Sequence, residues 1–385
     1  MDVPAIVVGA DINGLGVVRS LAREGVPTWL ADCNPADPAM RSRYPATVTF
    51  PSLSGAAAVD ALLALRPRFA TDPVLFLTQE ATVKAVSASL DRIAPCYRIS
   101  MPEATVMQRL MNKAGFQSFA ESHGFSIPRA VHLRRAEDLA ASDGLNYPCV
   151  LKPVVKTSDY AARFKKAYKV EDPAKLREIF LEVDGAAEMI AQEWIDGSDD
   201  RIYFCLQYRA RERNALISFT GRKLRSWPLQ TGGTASCVPA PEVAEELTRI
   251  TDAFFTAAGY FGIGSMEFKQ HASTERFMMI EPTVGRTDFQ EEIATLNGVN
   301  IPYAAYCGEL GRSIARSASV GTPSVWAVSP IDRWASELQP SSVRRFPAGL
   351  RRYDALWRFD DPLPWCSMTI QRLKSCLSGL KRLRR

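Results

Sequence analysis

The sequence has few of the residues that build common metal and redox centres. Its three histidines, His123, His132 and His271, stand far apart, which argues against a histidine-built metal site or a histidine-based triad. Its eight cysteines (33, 96, 149, 205, 237, 307, 366 and 376) are scattered singly. With no C-x-x-C pair, a zinc ribbon or thioredoxin-like motif is not expected, and reduced thiols in a cytoplasmic protein are. No apolar run reaches the ~18 residues that a membrane span needs. The N-terminus runs straight into a strand with no basic segment ahead of it, so no signal peptide is expected.

What is present is ordinary for a globular protein. The 385 residues are 46% hydrophobic and 23% charged, long enough for two or three domains. The net charge of +5 is unevenly placed. From Ile331 onward 12 Lys/Arg stand against 5 Asp/Glu, so the basic character belongs to the tail. Between Met368 and Leu383, Ile370, Leu373, Leu377, Leu380 and Leu383 recur at three- and four-residue steps among basic residues. Such an amphipathic helix either packs on its own domain with a solvated basic face or contacts a membrane surface or a protein partner.

The stretch Gly264–Arg286 carries the first chemical signal. Two short apolar runs flank the polar segment Gln270–Arg276, which predicts a hairpin. A turn centred on Thr274 sets Glu267 opposite Glu281, on one face of the sheet. Like charges so placed destabilise a sheet. A hard divalent cation removes the conflict; the alternative is a pair of solvated glutamates on an outward face.

Other segments are read in order. Ala5–Gly9, Gly14, Gly16 and a second strand closing on Asp32 form a βαβ unit with a glycine-rich first turn. It matches a dinucleotide fingerprint only in part, because Arg19 holds the third glycine's place. An α/β domain whose glycines permit a tight turn is preferred over an NAD-dependent oxidoreductase. A strand at Val74–Leu77 follows, and this domain ends near Pro102. Lys152 lies in the apolar strand Cys149–Pro153, where a charge is costly unless it meets an anion or snorkels at the strand end. Lys156, Arg163, Lys165, Lys166 and Lys169 cluster ahead of a helix over Pro173–Val183, and the strand after it stops at Gly197. Arg222 and Lys223, followed by Thr231-Gly-Gly-Thr234, form either a carboxylate site or a hairpin with a flexible tip.

Taken in order, five motifs resemble the ATP-grasp superfamily, specifically its carboxylate–amine ligases, over roughly residues 1–310. They are Asn112-Lys113, Val150-Leu-Lys152-Pro, Gln192-Glu-Trp-Ile-Asp-Gly197, Met266-Glu-Phe268 and Ile280-Glu-Pro-Thr-Val-Gly-Arg286. The resemblance implies an α/β ATP-grasp fold with four parts. These are a Rossmann-like pre-ATP-grasp domain (1–104), a lid with linker helices (105–190), a core with the metal site (191–315) and a basic extension (316–385). It implies ATP phosphates on Lys113 and Lys152, and adenine at the hinge Gln192, Glu193, Trp194 and Ile195. Asp199 or Asp200 would face the ribose. Glu267 and Glu281 would hold Mg²⁺, or Mn²⁺ in its place, and Arg286 would stabilise an acyl phosphate. Two positions depart from the family's pattern. Thr283 stands where an Asn is usual, as a weaker ligand. The lid Thr157–Lys166 has no glycine, so Lys165 or Lys166 would replace backbone donors to phosphate. These departures keep a catalytically weakened nucleotide-binding scaffold as the second expectation. The partners expected are a small-molecule carboxylate and an amine, with a homodimer, and no nucleic acid.

Overall fold

β1 (Ala5–Val8) is buried at all four residues, as expected of a strand covered on both faces. It pairs in parallel with β2 (Thr28–Asp32) and β4 (Val74–Leu77), and β2 pairs in parallel with β3 (Ala46–Thr49), giving the order β3-β2-β1-β4. The computed structural model describes residues 3–155, 157–165, 167–183, 185–212, 215–229, 232–314, 322–339 and 346–382. Among them, no helix is long and apolar enough to cross a membrane.

The features that suggested a dinucleotide turn have other uses here. A Cβ on Gly14 would lie 1.8 Å from the Gly9 carbonyl oxygen, so glycine is what lets the helix Ile12–Ala22 leave the strand so closely. Asp32 accepts the Ala10 and Asn34 N–H groups at 2.7 and 2.8 Å. Arg19 is 4% exposed and ties this domain to the far end of the chain. Its Nε lies 3.0 Å from Asp361 Oδ2, and its Nη1 donates to the Ala355 carbonyl at 2.7 Å.

A second sheet, order β5-β8-β6-β7, is antiparallel and comprises β5 (Ala130–Leu133), β6 (Cys149–Pro153), β7 (Tyr168–Val170) and β8 (Met189–Glu193). The helix Pro173–Val183 covers it with Leu176, Ile179, Phe180 and Val183. The boundary expected at residue 190 falls inside β8.

The third sheet has the order β13-β12-β9-β10-β11-β14-β15. Its strands are β9 (Ile202–Arg209), β10 (Leu216–Trp227), β11 (Gly233–Pro239), β12 (Gly262–Gln270), β13 (Phe277–Val284), β14 (Ser324–Ala327) and β15 (Arg351–Asp354). All neighbours are antiparallel except β14 and β15. Met266 and Phe268 pack with Phe254 and Phe255 of the helix Ala244–Ala258, while Phe204, Leu206 and Tyr208 pack with Ile293, Ala304 and Tyr306. The extension expected to begin at residue 316 supplies β14 and β15, so it completes the core sheet and is not an appendage. Trp326 of β14 is fully buried and donates Nε1 to Glu292 Oε2 at 3.1 Å, the oxygen that also receives Arg358 Nη2 at 2.8 Å.

Candidate functional site

Glu267 and Glu281 are directly paired across β12 and β13. The cause differs from the expected turn centre. Beyond the loop, Gln270, Lys269 and Phe268 pair with Phe277, Met278 and Met279, a register that would set Glu267 against Ile280. A bulge inserts Ile280 as an unpaired residue and moves Glu281 opposite Glu267. Without it, Glu281 would emerge on the other face, because a one-residue slip inverts a strand. Two residues further, Thr283 pairs with Ser265, whose Oγ donates to Asp288 Oδ2 at 2.8 Å.

Lys223 meets this pair, with Nζ 2.6 Å from Glu267 Oε2 and its side chain 5% exposed. Burial works against its charge, yet Glu267, Asp288 and Asp199 together hold its pKa above the usual lysine value. Arg222, expected beside it, does not join. Arg222, Tyr203 and Phe268 form one row across the sheet, on the face that packs against the helix Ala244–Ala258. Its nearest carboxylate is Asp200 Oδ2 at 4.0 Å. Adjacent strand residues point to opposite faces, so Arg222 and Lys223 cannot clamp one carboxylate together. Thr231 lies outside the described residues, and so does Lys166; Thr234 donates Oγ1 to Gln290 Oε1 at 3.1 Å.

The lysines expected at phosphate meet at a cleft of about 380 Å³ between the second and third sheets. Lys113, Lys152, Gln192 and Glu281 line it, with Phe116 and Gln117 of the helix Lys113–Ser122. Lys152 donates Nζ to Gln192 Oε1 at 2.9 Å, and Gln192 donates Nε2 to Gln117 Oε1 at 3.2 Å. Lys113 donates to the Pro153 carbonyl at 3.5 Å. Glu193 accepts the backbone and side-chain N–H groups of Asn146 at 2.9 and 2.8 Å. Trp194 donates its N–H to the Pro148 carbonyl, and the Lys169 ammonium lies 5.3 Å from its ring centre. Ile195 is buried. Asp199 is buried and accepts the Ser226 N–H at 3.1 Å, whereas Asp200 accepts the Ser198 hydroxyl. Lys165 is exposed, its ammonium 5.9 Å from the Tyr168 ring centre.

Gln117 and Lys269 are additions that the sequence reading missed. Lys269 donates to the carbonyls of Gly197 and Ser198, both at 2.7 Å, and so pins the turn after the hinge. Its place two residues after Glu267, on the same strand face, was the available signal. Nothing in the sequence pointed to Gln117.

Arg286 lies beyond β13, at the seam with the first sheet, where it donates Nη1 to the Thr287 carbonyl at 3.1 Å. Glu291, nearby and 1% exposed, accepts the Asp288 N–H through Oε2 at 3.0 Å. Its Oε1 has no partner among the described residues, and burial pushes its pKa from 4.5 to about 8. A carboxyl raised on folding stabilises fully below its unfolded pKa, and that contribution is lost as pH rises toward 8. The slope is about 1.4 kcal/mol per pH unit inside that window. Glu291→Gln should abolish this slope, so the variant gains on the parent protein from pH 6 to pH 8. Urea unfolding of both proteins at three pH values checks this; parallel curves would contradict it.

No protein-family model matches the chain, and no curated protein does. Solved structures do. One is N5-carboxyaminoimidazole synthetase from Staphylococcus aureus complexed with ADP, with TM-score 0.66, 15% identity and coverage of 84% of this chain and 82% of that one. Another is a biotin carboxylase–β-γ-ATP complex from Campylobacter jejuni, with TM-score 0.66, 13% identity and coverage of 84% and 75%. A third is the biotin carboxylase domain dimer of Hydrogenobacter thermophilus 2-oxoglutarate carboxylase with MgADP, ADP and bicarbonate. Its TM-score is 0.65, at 11% identity over 84% of this chain and 74% of that one. The chain therefore has the ATP-grasp fold.

Proposed function

We propose that the chain is an ATP-dependent ligase that joins a carboxylate to an amine through an acyl phosphate. The observation that carries this reading is the meeting of Lys113, Lys152 and Gln192 with Glu281 at one cleft, where Glu281 is paired with Glu267. The neighbours complexed with ADP and ATP support nucleotide use. In this reading Lys113 and Lys152 neutralise phosphate charge, and the backbone from Gln192 to Ile195 receives the adenine. Asp200 faces the ribose, and Lys165 reaches the outer phosphates from the lid. The donor set suits Mg²⁺, because Glu267, Glu281 and Thr283 offer only oxygens and the two carboxylates need more positive charge than Lys223 supplies. Bound there, the ion would offset charge on the phosphate oxygens. Lys223 holds Glu267 in place through their ion pair.

A substrate carboxylate oxygen attacks the γ-phosphorus and ADP leaves. The amine nitrogen then attacks the acyl carbon, phosphate leaves, and the nitrogen loses a proton. Arg286 stabilises the oxyanion formed in between. The enzyme is read as cytoplasmic and homodimeric. A second reading, a nucleotide-binding scaffold with weakened catalysis, is favoured by Thr283 and by the lid Thr157–Lys166, which has no glycine.

The test is ADP release from ATP and Mg²⁺ against a panel of carboxylates and amines. The ligase reading expects at least about a tenfold stimulation by one acceptor pair, equivalent to 1.4 kcal/mol, and a product whose mass is the sum of both less water. Nucleotide binding with no stimulated release across the panel would favour the scaffold. Failure to bind nucleotide would overturn both.

A further inference from the structure

We propose that the C-terminal helix and the loop before it dock on an anionic membrane surface. The helix Leu363–Arg382 follows that loop, and its described side chains divide into a packed side and an exposed side. Met368 packs into the core, and Gln371 donates Nε2 to the Ala36 carbonyl, which holds the helix against the short helix Pro38–Arg41. Each residue turns a helix by about 100°, so Ile370 and Leu373 face away from that contact, 51% and 59% exposed. Phe359, 94% exposed, stands in the preceding loop. Beside it Trp357 and Trp365, both exposed, meet edge to face with ring centres 5.3 Å apart. A folded chain gains nothing from holding these side chains in water.

Charge selects the occupant. From Pro362 to Arg385 there are six Lys/Arg and no Asp/Glu. Arg372 and Lys374 flank Leu373, and the same three- and four-residue steps continue in the sequence to Leu377 and Leu380. Exposed tryptophan and phenylalanine beside an acid-free basic helix is the composition of an interfacial segment, in which aromatic rings enter the headgroup layer and cations meet anionic lipid. Nothing crosses the bilayer; the helix lies on it. This inference does not depend on the ligase reading.

The full chain would be sedimented with vesicles of phosphatidylcholine alone or with about 30% phosphatidylserine. At least about tenfold more protein should bind the anionic vesicles, and about 0.5 M salt should release it. Ile370→Ser with Leu373→Ser should lower that binding about tenfold at an unchanged melting temperature, since both side chains are already half in water. Arg372→Gln with Lys374→Gln should lower binding to anionic vesicles severalfold, the other four Lys/Arg of the segment remaining. Absent or lipid-independent binding by the parent protein would overturn the proposal. So would full binding by the Ile370/Leu373 variant. Retention on polyglutamate but not on vesicles would assign the face to an acidic protein. A dimer abolished by the same two substitutions would assign it to a second copy of the chain. Either result overturns the membrane.

Discussion

Glu281→Gln is expected to lower ATP turnover at least about a hundredfold, or some 2.7 kcal/mol, while the protein stays folded. The amide keeps the volume and removes the negative charge that a hard cation requires. Glu281 is the better of the two carboxylates for this test. It is exposed, so its loss leaves nothing buried without a partner. Glu267 differs, because its removal strands the buried Lys223 ammonium, and the resulting instability would obscure any catalytic effect. Relief of the cross-strand repulsion should even stabilise the Glu281 variant by about 0.2–1 kcal/mol in the absence of nucleotide. Steady-state ADP release and thermal melting of the same preparation decide it. Turnover equal to that of the parent protein would remove this pair from the reacting phosphates.

Asp361→Asn should cost about 3–5 kcal/mol of stability, the range for removing one partner of a buried ion pair. Arg19 and Asp361 are 4% and 0% exposed, so no water replaces the lost charge. Asp361 also accepts the Ser42 hydroxyl at 2.9 Å and the Arg43 N–H at 3.0 Å. Asn can keep one acceptor but not the charge. Lys84→Ala, which breaks the surface pair with Glu80, should change stability by less than about 1 kcal/mol. The urea midpoints of the two variants measure the contrast. Equal, small shifts would mean that this ion pair does not hold the N-terminal domain and the extension together.

Much of the site was legible because strands and helices impose simple periods. Period two, counted from a turn centred on Thr274, put Glu267 and Glu281 on one face, and it would also have separated Arg222 from Lys223 had it been applied there. The helix Pro173–Val183 follows from its start at proline and its apolar spacing. What stayed hidden depends on distance along the chain. Arg19 reads as a flaw in a glycine motif, and only residues 342 positions away give it a purpose. β14 and β15 are four residues each, too short to signal a period; β11 offers β14 an edge, and β14 in turn offers one to β15. The bulge at Ile280 left no mark either, and the correct pairing was reached from a turn centre that the register contradicts.

Among the described residues β13 has a neighbouring strand on one side only, since it ends the third sheet. An open edge is a template for a strand from another molecule. Here the template is broken at successive points. The Met279 N–H is bonded to the Ser126 carbonyl at 2.8 Å, Ile280 bulges out of register, and Pro282 has no N–H to offer. Glu281 adds a charge between the last two. The strand proposed to carry a metal ligand is thus poorly suited to seed aggregation, and Glu281→Gln would leave three of its four defences in place.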